Sequence, residues 1–394
     1  MFEEIRKKSW DFIIDKLLNT QNNITEIETN GNIMHDDSVS LFIKKEGRRI
    51  EIKDVWADSR EYANHIGELI DLLRKDDDSH IIPKDNDNMK FLIEGRIYLD
   101  TGETARVHIV LPPARDFPQV TIAKKSKALG TLDALRKRRS FNDTIMNFLE
   151  AAVDCNFTMV LSGGTGAGKT TLLEAMTKDF KDDERIGIVE DSQELQLIQP
   201  NVTYLHSTLW KPGSDKNSVA TLSWCVQQLN RQRVDKIIIG ETRGGEFYDF
   251  IVAANSGCEG SLTTIHANNP KMALQKMSNF MLIGQPQPMR SANQSIGQTV
   301  DLILQLGFNS RHENRLLRIE NVSETLNADE SASIATNPLF IYNDENDSWD
   351  FKFLDDKIRN KLKSHGYDTD TFTKTSNSNS VPKIPDFRKF NFGR

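Results

Sequence analysis

The chain has 394 residues, 38% of them apolar and 27% charged, with a formal net charge of −7. That length and mixture describe more than one globular domain with ample core, and the acidic balance weighs against broad, sequence-independent binding to nucleic acid. Cys155, Cys225 and Cys258 are too scattered for a disulfide framework or a metal site, no apolar run reaches membrane-spanning length, and "MFEEIRKKSW" is not a signal peptide. A cytoplasmic protein with at most peripheral membrane contact is expected.

In chain order, residues 1–18 read as an amphipathic helix with Phe2, Ile5, Ile13, Leu17 and Leu18 on its apolar side. Strand-like runs follow in "ITEIETNG", "SLFIKK", "RIEIKDVW", "KFLIEGRIYLD" and "ARVHIVLPP", with a helix over residues 59–74 among them. This is an α+β domain over residues 1–120, closed by Pro112, Pro113 and Pro118. Residues 121–142 read as a linker and the entry to a second domain, its basic run "LRKRRS" being a solvated helix face.

Over residues 143–320, strands alternate with helices through "FTMVLS", "RIGIVED", "VTYLH", "KIIIGE", "SLTTIHA" and "VDLILQL". The alternation predicts an α/β, doubly wound parallel sheet with helices on both faces. Residues 321–394 read as a C-terminal extension. In it, "NPLFIYN" and "WDFKF" can pair as a hairpin, and the run from "HGYDTDTF" onward reads as a polar, mobile tail.

One stretch carries chemistry by itself. In "LSGGTGAGKTTLLEAM" an apolar strand runs into Gly163, Gly164, Thr165, Gly166, Ala167 and Gly168, and a helix begins at Lys169, Thr170 and Thr171. Glycines let such a loop turn its N–H groups inward, and with the helix N-terminus they form an anion site. Lys169 can then reach the β- and γ-phosphates of a nucleotide, and the Thr170 hydroxyl can ligate Mg²⁺.

Phosphoryl transfer also needs a group to orient water and charge near the transition state. Candidates follow at strand ends: Glu190, Asp191 and Glu194 in "RIGIVEDSQEL", Glu241 and Arg243 in "KIIIGETRGGE", and His266 in "GSLTTIHANNP".

These four segments resemble, in order and wording, the type II/type IV secretion ATPase family of hexameric traffic motors. "GGTGAGKTT" looks like its Walker A box, "RIGIVEDSQEL" its Asp box, "KIIIGETRGGE" its Walker B box and "GSLTTIHANNP" its His box. With "ITEIETNG" and "RVHIVLPP" the resemblance covers about residues 20–310. It implies a RecA-like P-loop ATPase domain behind a smaller N-terminal domain, with ATP and Mg²⁺ as cofactors. It also implies a homohexamer at the inner face of the cytoplasmic membrane, working with secretion-channel components and other secretion ATPases.

The resemblance implies roles too. Lys169 and Thr170 bind phosphate and metal, Glu190 orients the attacking water, Glu241 holds Mg²⁺ through water, and His266 senses the γ-phosphate. Arg106 of "ARVHIVLPP" looks like an N-terminal-domain arginine that reaches nucleotide, and Arg231 and Arg233 like basic residues acting across a subunit boundary. Members often carry Ile-Arg-Lys where this chain reads Ile122-Ala123-Lys124, so a phosphate-facing linker arginine is missing. The wording points to the conjugation and effector-export branch, with the tight-adherence pilus branch as alternative. Outside the family, a helicase-type motor and a non-hydrolysing nucleotide-switch scaffold remain open.

Overall fold

A computed structural model describes residues 8–19, 24–32, 38–45, 48–53, 55–56, 58–74, 92–100, 104–112, 117–124, 130–191, 194–207, 220–326 and 332–373. The chain divides into two compact units, the first built from residues 1–128 with 210–218 and the second from the rest.

The first unit is an antiparallel sheet of β1 (Ile24–Asn32), β2 (Ser38–Lys45), β3 (Arg48–Ile52), β4 (Leu92–Tyr98), β5 (Thr104–Val110) and β6 (Gln119–Lys124), in the order β3-β2-β1-β6-β5-β4. Its strands alternate: Val39, Leu41 and Ile43, or Ala105, Val107 and Ile109, are buried, and the residues between them are more open. That is the pattern of a sheet with one covered face. The cover is α1 (Trp10–Ile14) and α2 (Ser59–Arg74). Trp10, Trp56, Tyr62 and Phe117 pack in sequence with ring centroids 4.8–5.6 Å apart. The Tyr62 hydroxyl lies 2.7 Å from Thr29 Oγ1, which accepts from the Val120 amide at 2.9 Å.

The structure corrects two expectations in this unit. The N-terminal helix is short and passes at Asp15–Asn19 into a wider π-type turn. That turn keeps Ile13, Ile14, Leu17 and Leu18 all buried, so this apolar side is consumed by the unit's own core; Phe2 and Ile5 lie outside the described residues. The linker, expected over residues 121–142, loses its first part to β6, whose Val120 and Ile122 are fully buried between β1 and β5. Its last part is α3 (Leu132–Lys137), capped by Thr131 and belonging to the second unit. Of "LRKRRS", Arg136 pairs with Asp133 and Asp143, and Arg139 with Asp347.

The second unit is a nine-stranded sheet in the order β15-β14-β13-β12-β7-β11-β10-β8-β9. Its parallel part is β7 (Met159–Ser162), β8 (Ile186–Glu190), β9 (Val202–His206), β10 (Lys236–Ile239), β11 (Leu262–Ile265) and β12 (Leu302–Phe308). Central strands β7, β8, β10 and β11 are buried at every residue, as a sheet covered on both faces requires. Met159 and Leu161 face α3, α4 (Asp143–Asp154) and α5 (Lys169–Thr177), whereas Val160 faces α6 (Leu222–Arg231), α7 (Glu246–Ala254), α8 (Pro270–Gly284) and α9 (Met289–Thr299).

Residues 321–373 are no appendage to this unit. β13 (Asn314–Leu326), β14 (Ala332–Asn343) and β15 (Ser348–Phe351) extend the same sheet antiparallel from β12, and β14 and β15 form the expected hairpin. Two short helices, α10 (Asp356–Ser364) and α11 (Asp370–Thr373), close the unit. Phe340 of β14 and Phe372 of α11 pack edge-on against Phe148 of α4, 5.5 and 5.6 Å away. Of the run expected to be a polar tail, residues 365–373 therefore belong to this unit; residues 374–394 lie outside the described ones.

Candidate phosphate site

Parallel strands bring their carboxyl ends to one edge, and ligands of such sheets bind there. β7 ends at Ser162, and the glycine-rich loop then carries the chain into α5. Gly164, Thr165 and Gly166 are exposed, while Ala167 and Lys169 are buried. The loop needs its glycines for different reasons. A Cβ on Gly163 would lie 2.7 Å from the Leu306 carbonyl oxygen, and Gly168 sits at φ 92° as the N-cap of α5. No side chain caps that helix, so its first-turn N–H groups are left for an anion.

Lys169 Nζ donates to the carbonyls of Gly163 and Gly164, both at 3.0 Å, and lies 3.3 Å from His266 Nδ1. His266 Nε2 is 3.2 Å from Glu241 Oε1. Glu241 Oε2 accepts from Arg243 Nη2 at 2.8 Å, and Arg243 Nη1 is 3.2 Å from Asp191 Oδ2. Burial lowers the Lys169 pKa, with Glu241 and Glu194 opposing. Burial alone would raise the Glu241 carboxyl, but its bond to Arg243 and the charges of Arg243, His266 and Lys169 bring it below the ordinary value. Glu241 is thus held ionised beside a buried cation.

Glu190, expected to orient water, is held by backbone donors. It is 3% exposed, and its two carboxylate oxygens accept from the backbone amides of Glu194 and Leu195 at 3.0–3.3 Å. In this conformation it anchors the turn after β8, and Glu241 is the carboxylate that faces the lysine.

Arg231 and Arg233 are not brought to the loop either. They close α6 and enter β10 from its amino end, so the length of the strand, about 13 Å, separates them from the carboxyl edge that holds Glu241. Both are exposed. Arg106 is exposed on β5 of the first unit, and Lys124 of β6 donates to the Leu18 carbonyl at 2.9 Å. Sequence reasoning passed over Asn314, whose Nδ2 donates to Gly166 O at 3.0 Å and braces the loop from β13. No spacing signal marks it. Among the described residues no cluster of His, Cys, Asp or Glu could hold a metal by itself, so a cation here needs the Thr170 hydroxyl and phosphate oxygens as partners. The buried lysine, uncapped helix and glycine cradle fit a nucleotide triphosphate with its metal.

Residues 83–329 match the family model described as Type II/IV secretion system protein. The chain belongs to that family. It is 30% identical over 231 residues to the conjugal transfer protein TrbB of Rhizobium radiobacter, across 58% of this chain and 67% of that protein. It is 31% identical over 208 residues to the type IV secretion system protein VirB11 of Bartonella quintana, across 44% of this chain and 58% of that protein. The second match thus spans little more than half of its relative. Among solved structures, the ATPase DotB of Legionella pneumophila aligns with a TM-score of 0.53 at 17% identity, across 86% of this chain and 83% of that one. That likeness concerns the fold: a smaller α+β unit and a RecA-like sheet. Among the described residues no helix is long and apolar enough to cross a membrane.

Proposed function

We propose that the chain hydrolyses ATP with Mg²⁺ and, as a homohexamer at the inner face of the cytoplasmic membrane, powers conjugation or effector export through a type IV secretion channel. The observation that carries this reading is the convergence of Lys169, His266 and Glu241 at the carboxyl edge of β7, β11 and β10. A buried cation, a neutral imidazole and an ionised carboxylate meet beside a loop built for phosphate.

Lys169 and the loop amides would neutralise the phosphate chain. The Thr170 hydroxyl and, through water, Glu241 would hold Mg²⁺, which draws charge from the transferring phosphoryl group. Glu241, held ionised, would order the attacking water as well. His266, bonded to both Lys169 and Glu241, is placed to respond when Lys169 turns to a γ-phosphate. Arg231 and Arg233 lie too far from their own loop, so any action on nucleotide would be on that of a neighbouring chain. Such a head-to-tail contact closes into a ring when its rotation permits. Channel components and other secretion ATPases would be its partners.

ATP turnover with and without single-stranded DNA, alongside particle mass, tests the reading. Turnover by a hexamer without DNA supports it. Strong DNA stimulation would favour a helicase, and absence of turnover a scaffold.

A further inference from the structure

The polar contacts at the sheet's carboxyl edge extend beyond the phosphate site. Ser207, one residue past β9, donates from Oγ to Asp191 Oδ1 at 2.6 Å. Asp191, one residue past β8, offers its other oxygen to Arg243 Nη1. Arg243 gives its other terminal nitrogen to Glu241 past β10, Glu241 meets His266 past β11, and His266 meets Lys169 past β7. These contacts run in the spatial order β9-β8-β10-β11-β7 without skipping a strand. Each carboxylate uses its two oxygens for two different partners.

We propose that Arg243 is the positioning residue of this site: it fixes Glu241 with one arm of its guanidinium and, with the other, ties it through Asp191 to Ser207, so that nucleotide at Lys169 is felt at β9.

This role presupposes the ATP hydrolysis proposed above. An exposed ion pair alone contributes little, and the Arg243 side chain is 57% exposed. Its contribution is geometric. The planar fork serves two carboxylates at once from fixed angles, which the single ammonium of a lysine cannot copy. Removing it leaves Glu241 tied only to His266, free to rotate away from the lysine. The far end is a backbone position. The Ser207 amide donates to Glu190 O at 3.0 Å, so a shift of Asp191 and Ser207 changes how well that amide is protected. From there the chain continues into residues 208–219, outside the described residues.

The test uses the full chain and three variants, Arg243→Lys, Arg243→Gln and Asp191→Asn. ATP affinity, turnover and amide hydrogen exchange over residues 202–207 are measured with and without a non-hydrolysable ATP analogue and Mg²⁺. In the wild type the analogue alters exchange at 202–207. Arg243→Lys keeps ATP affinity within about threefold, lowers kcat by about 10- to 100-fold as a misplaced catalytic group does, and abolishes the exchange response. Arg243→Gln, which loses the charge as well, does the same. Asp191→Asn, which weakens the tie between Arg243 and Ser207, loses the exchange response. A wild-type kcat and exchange response in Arg243→Lys overturn the role of Arg243. A wild-type chain that binds ATP but does not turn it over overturns the hydrolysis reading, and the exchange comparison still judges the relay. Unchanged melting temperatures separate a positioning role from a general loss of structure.

Discussion

Lys169 Nζ and His266 Nδ1 meet at 3.3 Å, and that contact fixes the protonation state of the imidazole. An ammonium has only donors, so Nδ1 accepts and the ring proton sits on Nε2, facing Glu241. Burial and the Lys169 charge lower the His266 pKa from 6.5, and Glu241 opposes them. His266 is therefore neutral at pH 7.

The sign is testable by NMR titration of the imidazole. The midpoint should lie below 6.5 in the wild type, rise in Lys169→Ala and fall further in Glu241→Gln. Because the folded value is depressed, His266 contributes stability above the unfolded pKa and loses it as pH falls through the folded one. Opposite shifts in the two variants would remove His266 from between these groups.

The two glutamates at strand ends should separate. Glu241→Gln should lower kcat by about 10²-fold or more while leaving the melting temperature near that of the wild type, since the side chain is partly exposed and keeps its shape. Glu190→Gln replaces one accepting oxygen with an NH₂ aimed at backbone donors inside a buried turn, at a cost of about 1–3 kcal/mol. Denaturant unfolding and steady-state turnover read both. Equal stability in the two variants would contradict the anchoring role of Glu190.

At the opposite edge of the sheet, Asp301 is 3% exposed and accepts from the Thr158 amide at 3.0 Å and from Lys361 Nζ at 2.9 Å, with Lys357 Nζ 3.1 Å away. Both lysines belong to α10, so this carboxylate latches α10 onto the strands. Asp301→Ala should cost about 2–3 kcal/mol, since the lysines can still turn to water but the amide cannot. Limited proteolysis should cut first near α10. An unchanged unfolding curve would argue that α10 is held by its apolar side and the backbone-carbonyl bonds of Lys357 and Lys361, without Asp301.

Much of this was legible in the sequence because its signals are local. The phosphate loop announces itself by spacing, and the buried central strands by apolar runs such as "KIII" and "IGIVE". β6 was missed because "QVTIAK" carries only two fully buried apolar residues after a proline and before lysines, while its pairing with β1 and β5 is distant in sequence. The backbone partners of Glu190 leave no mark on composition. That Arg231 and Arg233 lie at the amino end of β10 also has no local mark, since nearness in sequence to a strand says nothing about which end a residue occupies. Asn314 and the Arg243 fork belong to contacts between strands that only the folded sheet brings together.

The central claim is that these chains hydrolyse ATP as interdependent members of a ring, and mixing active with inactive chains tests it most directly. Lys169→Ala removes the phosphate-facing cation and should abolish turnover in a chain that still folds and assembles. Wild type and Lys169→Ala are combined in varied ratio at constant total concentration, and ATP hydrolysis is followed at each. If rings are the working unit, the rate falls faster than the wild-type fraction, so an equal mixture gives well under half the wild-type rate. A rate strictly proportional to the wild-type fraction, at all protein concentrations, would contradict the account.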